Sequence, residues 1–446
     1  MTQTLDRYQR YHEQFEEFDS TRSHAVPGWL QAVRRKGMED FSRLGFPTAR
    51  RGNEKWKYTN VAPIANGEFE RASERKEQVA LDSLKRAAPW SDDWATVVFV
   101  DGVYSPKLSN ASLNGGVQVR NLADLVRDDG ALIEAHLASL APTDDDGFTA
   151  LNTAFVDDGA LVHLADGARL DTPLHLLFYS TDREQPYVTY PRVLLVAGTE
   201  ASATVIESYA GAGQNSYFTN SVAEFVVGEG AQIDHYRLTN ESDAAYHVGS
   251  VRVVQKDASS FRSRAFYRGV GLGRHDLQVT IDGSGCECDL GGLYLTSGRQ
   301  HVDNFINIDH VKPESRSRLL YKGILSGRSR AVFGGTVFVR KGAVKTDALQ
   351  SDKNLVLSPD AEIDSKPALF IWADDVKCGH GATAGNIDKD ALFYMRSRGV
   401  DLEVASRLLI YGFAAEIIDT VRVPELRSYL EKLFLDAVPA HRFEFS

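Results

Sequence analysis

Two residues near the carboxyl end of the chain have side chains that could bind a metal ion. Cys378 and His380 are separated by one residue in the stretch DDVKCGHGATAG, and the chain has only three cysteines in 446 residues. If this stretch is extended, both side chains point to one face, with Cα atoms about 7 Å apart. Thiolate and imidazole groups are acceptable ligands for zinc or iron. The spacing is therefore compatible with two ligands of one metal ion.

This pair by itself is an incomplete metal site. A tetrahedral site needs four donors, and an iron–sulfur cluster normally takes four thiolates or close substitutes. A complete site would need ligands from elsewhere in this chain or from another chain. A catalytic cysteine–histidine dyad fits less well, because an extended strand holds the two side chains parallel instead of in hydrogen-bond contact. A buried cysteine beside a hydrogen-bonded histidine, with no chemical role, remains an alternative.

Two further stretches carry possible ligands. Cys286 and Cys288 lie in GSGCECDLGG, where glycine-flanked cysteines of a strand are more often small packing residues than half of a metal site. In QHVDNFINIDH, an extended strand would place His301 and Asp303 on one face and His310 on the other. That arrangement is either a partial metal site or a set of polar residues along a β-face or a subunit contact.

Several classes of function are disfavoured by what the sequence lacks. It has no G-x-x-x-x-G-K-[ST] loop, so we expect no nucleotide hydrolysis by this chain. It also lacks a G-x-S-x-G elbow and an H-E-x-x-H helix. Its aspartates are scattered, so no glycosidase-type carboxylate pair stands out. We expect a protein that is not an enzyme.

The overall composition is that of an ordinary soluble protein. The net charge of −11 and a pI near 5.6 argue against nucleic acid or an anionic membrane surface as the main partner. No apolar run approaches the length of a membrane span, and residues 1–10 contain no apolar core of a secretory signal. Three cysteines do not make a disulfide framework, so we expect a cytoplasmic location.

Three regions of different character must position these residues. We expect a helical region over residues 1–92, a β-rich core over 93–385 and a second helical region over 386–446. In the first, a helix is predicted from Pro27 to about Gly45, and another from Ala72 to Ala88. Between them NEKWKYTN has no clear periodicity and is predicted to be a linker.

The core region shows a repeat. Short β-branched runs each lead through a tight turn and a small residue into a second alternating run. The small residues recur about every 27–30 residues, except for one interval about twice as long and a short last one; they are Ala201, Ala231, Ala258, Gly285, Ala343 and Ala361. Repeating units of this size predict a parallel β-helix better than a sandwich. A helical insertion at about residues 121–140 is expected to cap its end.

The last region is predicted to contain three helices. Asp388 is placed to cap the first, Gly399 to end it, and Pro424 to begin the third. Their aliphatic stripes leave little internal core. We expect these helices to dock on the β-helix or to offer a stripe to another protein.

Five stretches resemble the SufB/SufD family, in the family's order and spacing: QHVDNFINIDHVKPESRSRLLYKGIL, AVFGGTVFV, AVKTDALQSDKNLVLSPDAEIDSKPAL, ADDVKCGHGAT and DALFYMRSRGV. The segments WKYTN and FTALNTAF are similar to the SufD branch. SufB chains carry a cysteine in the segment where this chain has Asp352, and two glutamates where it has Gly379 and Gly381. The absence of these three residues also resembles the SufD branch.

The resemblance implies a right-handed parallel β-helix flanked by helical regions, within a scaffold subunit of the SUF iron–sulfur assembly complex. The implied partners are a SufB-like scaffold and a SufC-like ABC ATPase. Cys378 and His380 would lie at the SufB interface and share a transient iron–sulfur cluster or iron with it. This chain alone would hold no tightly bound cofactor.

The same resemblance assigns the C-terminal helices to the ATPase. The residues expected to contact it are Asp388, Phe393, Tyr394, Arg398, Leu408 and Phe413. A homodimer of the isolated chain is also expected, because the ends of a β-helix can pair with each other. Two alternatives remain: a purely structural partner with all cluster ligands on SufB, and a polysaccharide-active β-helix enzyme.

Overall fold

The computed structural model describes residues 2–22, 26–50, 53–72, 79–111, 113, 116–128 and 130–437. The protein is mainly β and forms a parallel β-solenoid of about eight turns, flanked by helices, as the sequence repeat predicted. Elements are numbered in chain order. In the described ranges the helices are α1 (Thr2–Arg22), α2 (Gly28–Leu44), α3 (Ala62–Ala65), α4 (Leu81–Ala87), α5 (Leu122–Asp128), α6 (Ala131–His136), α7 (Gly147–Ala154), α8 (Lys389–Ser397), α9 (Leu402–Ile418) and α10 (Pro424–Ala437).

The strands form two long sheets that face each other across the solenoid. The first sheet contains β1 (Glu70–Arg71), β4 (Val117–Asn121), β5 (Ala160–Leu164), β7 (Tyr187–Thr189), β8 (Arg192–Ala197), β10 (Tyr217–Val227), β12 (Tyr246–Gln255), β14 (Leu272–Ile281), β16 (His301–His310), β18 (Arg330–Val339) and β20 (Glu362–Ile371). The second contains β2 (Ala95–Val100), β3 (Val103–Tyr104), β6 (Leu174–Ser180), β9 (Ser202–Gly211), β11 (Gln232–Glu241), β13 (Ser260–Gly269), β15 (Glu287–Thr296), β17 (Arg316–Leu325), β19 (Asp347–Val356) and β21 (Lys377–Gly385).

Successive coils stack in register. From β8 onward each strand pairs in parallel with the strand two positions later in the chain, for example β17 with β19 and β19 with β21. Because side chains alternate along a strand, every second residue of each coil enters the interior and forms a row with its counterparts. One such row runs through Phe261, Cys288, Ser317, Ala348 and Cys378. The site residues are therefore positioned by the coil beneath them.

Turns between the sheets account for the small residues of the repeat. Ala201 and Ala231 are buried and follow Glu200 and Gly230, which have φ values of 56° and 64°. Ala258 itself has φ 53°. Such left-handed positions are needed for the sharp corner between a strand of the first sheet and the next strand of the second.

The N-terminal helices pack on the outer face of the first sheet. Phe41 of α2 and Phe148 of α7 share an apolar cluster with outward-facing Phe218 and Leu272. The segment predicted to be a linker is part of this contact, because Trp56 is buried and stacks on the Arg274 guanidinium at 3.9 Å. α5 and α6 pack on the same face of the first sheet, next to its first coils. Within the predicted helix Ala72–Ala88, α4 spans Leu81–Ala87, while residues 73–78 lie outside the described residues.

The C-terminal helices cover the outer face of the second sheet. Ile410 and Ile417 of α9 and Leu430 of α10 pack with outward-facing residues such as Phe266 and Leu293. α9 is fixed further by Glu416, which forms an ion pair with Lys322 of β17. Among the described residues, no helix combines the length and apolar character that a bilayer crossing requires.

Candidate functional site

The solenoid is open at its carboxyl end. β20 pairs with β18 and β21 pairs with β19, and no described strand covers the far edge of either. At the opposite end, the short strands β3 and β4 close the two sheets with antiparallel pairs. An uncovered strand edge presents free backbone donors and acceptors to another chain. The open end, defined here as β20, β21 and the turn between them, is thus able to continue into a second β-structure.

Cys378 and His380 both lie on β21, at this open end. They are the Cα partners of Ala348 and Gln350 on β19. Cys378 is half-buried and packs against the solenoid core, whereas His380 is exposed. Alternation along the strand puts both side chains on one face of β21. The inward face of the last coil, which earlier coils bury, is here accessible from outside.

The thiol of Cys378 is held in its neutral form. Burial raises the pKa of Cys378, and the nearby Asp347 carboxylate acts in the same direction, while a backbone hydrogen bond from Ala348 opposes them. The thiolate is the form that binds metals. Metal binding at Cys378 must therefore displace a proton.

Two polar residues of β19, Gln350 beneath His380 and Asp352 beneath Ala382, were not among the site residues predicted from sequence. Gln350 Nε2 lies 3.5 Å from His380 Nδ1, and the Gln350 side chain also donates to the Ala368 carbonyl at 3.3 Å. Asp352 is buried two residues farther along the same strand and accepts hydrogen bonds from Ser365 and Asn354. Burial raises the pKa of Asp352 to about 6. These groups reach the site through the pairing of β19 with β21, between residues thirty positions apart. No local sequence motif indicates such a pairing.

An aromatic row flanks the open end on the outer face of the first sheet. Phe338, Phe370 and Trp372 stack with nearly parallel rings, and the two last rings are about half exposed, at 48% and 52%. Ile371, between Phe370 and Trp372 in the chain, is exposed as well. Contiguous exposed apolar side chains of this kind mark interaction surfaces.

A cavity of about 590 Å³ lies between the last coils of the second sheet and the C-terminal helices. Its lining includes Lys353 of β19, His380 of β21, and Glu416 and Thr420 of the α9 region. Glu416 also lies 3.3 Å from Lys353 of β19, next to its pair with Lys322. The position of α9 is thus physically linked to the strand that lies beneath His380.

The described residues hold no group of three or more histidine, cysteine or acidic side chains placed to bind a metal ion. Cys288 shares an interior row with Cys378, but three strand spacings separate them, which is about 14 Å. Cys286 and Cys288 are both buried, and burial raises the pKa of Cys288. Cys286 Sγ donates to the Lys256 carbonyl at 3.1 Å. These contacts match the packing role that the sequence favoured.

His301, Asp303 and His310 are engaged within the chain. His301 and Asp303 both contact the Thr59 hydroxyl, and Asp303 also pairs with the buried Arg274. His310 lies in the solenoid interior, 2.9 Å from the Ser317 hydroxyl. His301 and Asp303 therefore attach the N-terminal segment to the first sheet. This agrees with the alternative in which they are polar residues along a solenoid face.

The residues expected to contact an ATPase occupy α8 and α9. Asp388 caps α8 by accepting hydrogen bonds from the amides of Asp390 and Ala391. Phe393, Tyr394 and Leu408 are exposed, by 75%, 60% and 51%. Arg398 lies beside the ring of Tyr394. Phe413 differs, because it is half-buried and its ring lies 3.9 Å from the Lys322 ammonium.

Comparison with known protein families gives two matches that together span most of the chain. Residues 178–413 match the model described as "SUF system FeS cluster assembly, SufBD core domain". Residues 5–176 match the model described as "SufBD protein N-terminal region".

Individual relatives agree with these matches. An iron–sulfur cluster assembly SufBD family protein of Synechocystis is 32% identical over 90% of this chain and 89% of its own length. The iron–sulfur cluster assembly protein SufD of Escherichia coli is 31% identical over 93% of this chain and 92% of its own. The iron–sulfur cluster assembly protein SufD of Bacillus subtilis is 24% identical over 91% of this chain and 93% of its own length.

Proposed function

This chain belongs to the SufD branch of the SufBD family, which acts in SUF iron–sulfur cluster assembly, and we propose that it is a non-catalytic scaffold subunit of that machinery. In this proposal it works in the cytoplasm with a SufB-type scaffold and a SufC-type ABC ATPase. Iron and sulfide are its cargo, and they are bound transiently at the seam between the two scaffolds.

The observation that carries the proposal is the position of Cys378 and His380 on an uncovered edge strand. β21 offers a free strand edge, and the exposed Phe370, Ile371 and Trp372 lie at the same end of the solenoid. A partner strand that pairs with β21 would bring its own side chains beside these two residues, since strands in a sheet are about 4.8 Å apart.

Shared ligation follows from the number of donors. Cys378 and His380 supply one sulfur and one nitrogen, fewer than an iron–sulfur cluster requires. The remaining ligands would come from the partner chain. In this arrangement His380 is an iron ligand or a proton acceptor, Gln350 orients its ring, and Cys378 contributes after losing its proton.

The C-terminal helices are the proposed attachment site of the ATPase. Phe393, Tyr394, Val404 and Leu408 give α8 and α9 an exposed apolar surface. ATP-driven dimerisation of the ATPase would pull on these helices and open the seam. Glu416, through Lys322 and Lys353, provides a direct connection from α9 to the last coils.

Assembly is tested by two surface variants of the tagged chain, co-expressed with the SufB-type scaffold and the SufC-type ATPase of the same organism. Phe370→Glu should lose the scaffold and keep the ATPase; Phe393→Glu should lose the ATPase and keep the scaffold. Each variant is the control for the other. If the parent chain captures neither protein, the scaffold proposal fails.

The ligand role is tested separately in the assembled complex. His380→Ala should assemble normally and load iron and sulfide more slowly than the parent, followed by absorbance and by chemical iron analysis under anaerobic conditions. His12→Ala, in α1, is the matched control. If His380→Ala loads at the parent rate, the chain is a purely structural partner.

A further inference from the structure

A cavity of about 480 Å³ lies far from the open end, between the N-terminal helices and the first coils. Its lining includes four arginines, of which Arg22, Arg34 and Arg71 lie together with Asp157, Phe155 and Tyr190. A volume of this size is typical of pockets for small molecules.

Three of these arginines share a single carboxylate. Nitrogens of Arg22, Arg34 and Arg71 lie 3.4, 3.3 and 3.8 Å from the oxygens of Asp157. Among the described residues, these three guanidinium groups therefore share one carboxylate as their ion-pair partner.

The other carboxylates of the lining are already engaged. Asp101 pairs with Arg183 and accepts from the Thr181 hydroxyl, and Asp124 pairs with Arg127. Asp158 accepts hydrogen bonds from the backbone amides of Tyr104 and Gly159, each at 2.9 Å. Asp101 and Asp124 therefore have cationic partners of their own, whereas the Asp158 carboxylate is held by neutral donors and adds negative charge to the lining.

Arg34 carries an unused donor. Its Nε donates to the Val156 carbonyl at 2.8 Å and its Nη2 to Asp157, but its buried Nη1 has no hydrogen-bond partner among the described residues. The side chain is 1% exposed. The buried hydroxyl of Tyr190 likewise has no partner in the described part of the chain. Buried donors without partners are costly, which is expected of a site that a ligand completes.

The guanidinium groups are held in place by an aromatic ring. Arg34 and Arg71 lie 4.7 and 4.9 Å from the centroid of Phe18. Phe18 packs on Phe155, which stacks on Tyr190 at 4.8 Å. Binding energy is not spent on ordering side chains that the protein has already fixed.

We infer that this cavity binds the phosphate group of a small phosphorylated molecule, through Arg22, Arg34 and Arg71. A phosphate monoester carries about −1.5 to −2 charges at neutral pH, and three guanidinium groups that share one carboxylate can supply the opposite charge. Guanidinium groups bind phosphate oxygens in pairs of parallel hydrogen bonds. The cavity has room for more than the phosphate, and Phe155 and Tyr190 offer apolar surface to the remainder.

The test is isothermal titration of the full chain with inorganic phosphate, glycerol phosphate and a nucleoside monophosphate, at constant ionic strength. We expect saturable binding of at least one of them. Tighter binding of an ester identifies an organic phosphate, and equal binding of all three identifies phosphate itself. Absence of binding at millimolar concentration overturns the inference.

Variants distinguish the site from general charge attraction. Arg22→Gln and Arg71→Gln should each weaken binding about tenfold or more, the effect of losing one charge-assisted hydrogen bond. Arg10→Gln removes the same charge from α1, but Arg10 pairs with Glu68 and does not line the cavity, so this variant should bind as the parent does. Asp157→Asn removes the competing carboxylate and should tighten binding. Equal weakening in Arg10→Gln, or weaker binding in a folded Asp157→Asn chain, contradicts the site.

Discussion

Gln350 and His380 are opposite each other on neighbouring parallel strands, and their side chains are 3.5 Å apart between Nε2 and Nδ1. Gln350 is 3% exposed and is held from the other side by the Ala368 carbonyl. The exposed imidazole at the open end therefore rests on a fixed amide of the preceding coil. A substitution of Gln350 should therefore affect the His380 side chain without altering the surface that a partner would contact.

Gln350→Leu should shift the NMR resonances of the His380 ring, because it removes the amide that lies within hydrogen-bond distance of Nδ1. The ring resonances are recorded in the isolated chain at one fixed pH. Asp360→Asn, at an exposed pair with Arg328, is the control and should leave these resonances in place. Unchanged ring resonances in Gln350→Leu would show that the two side chains do not meet in solution.

Cys378 should be the one cysteine that reacts with iodoacetamide in the folded chain, because Cys286 and Cys288 are buried. Burial raises the pKa of Cys378, so its alkylation rate should still be rising at about pH 9, above the ordinary range of a free thiol. Peptide mass mapping locates the label, and Cys378→Ser should remain unlabelled. A rate that levels off below about pH 8 would contradict a raised pKa.

Asp352→Asn should stabilise the protein at neutral pH. The folded-state pKa of about 6 lies above the ordinary aspartate value, so the folded state binds the proton more tightly. The free energy of unfolding of the parent should then fall as the pH rises from about 4 to about 6, and stay lower above that range. Each pKa unit corresponds to about 1.4 kcal/mol, so we expect a gain of roughly 2–3 kcal/mol at about pH 7.

Urea unfolding of the parent and Asp352→Asn chains at acid and neutral pH measures the difference in their free energies of unfolding. That difference should vanish below about pH 4. Asparagine keeps an acceptor for Ser365 and Asn354. Asp360→Asn, at an exposed pair with Arg328, is the control and should have little effect at either pH. A gain that is equal at both pH values would point to packing instead of charge.

Glu416→Gln should destabilise the attachment of α9 more than Lys322→Met does. Lys322 is 3% exposed and burial lowers its pKa, so loss of Glu416 leaves a buried ammonium without its carboxylate. Glu416 is about half exposed, so Lys322→Met leaves a carboxylate that water and Lys353 still stabilise. Glu416→Gln instead leaves the buried ammonium unpaired, and we expect it to cost roughly 1–3 kcal/mol. Hydrogen exchange of the α9 amides reports the effect, with Lys353→Met at the exposed side as control. Equal effects of the two main variants would refute the asymmetry.

The repeat predicted the solenoid because its corners are marked by residue type. Its irregular intervals have simple explanations in the structure. The long interval spans the corner after β16, where Glu314 takes the left-handed position as Glu200 does, and buried Ser315 stands in the place of the alanine. The short last interval arises because Ala361 belongs to the opposite corner, between β19 and β20. A local pattern thus identifies turns but does not say on which side of the coil they lie.

The candidate site was only partly predictable for a related reason. Cys378 and His380 stand out by type and spacing, whereas Gln350 is brought beneath His380, and Asp352 beneath Ala382, by strand register across thirty residues. The arginine cavity is harder still, because Arg22, Arg71 and Asp157 come from three distant parts of the chain. Their convergence depends on how the N-terminal helices dock, which no sequence period records.

The stacked register also has a consequence for biosynthesis. Each coil is laid on the one translated about thirty residues earlier, as Lys377 is laid on Asp347, so the rod can form in the order in which the ribosome delivers it. The strand that bears Cys378 and His380 is the last coil to emerge. A chain that has stalled or misfolded upstream would lack the template for β21, and a partner that recognises this strand would accept only molecules whose synthesis and folding are nearly complete.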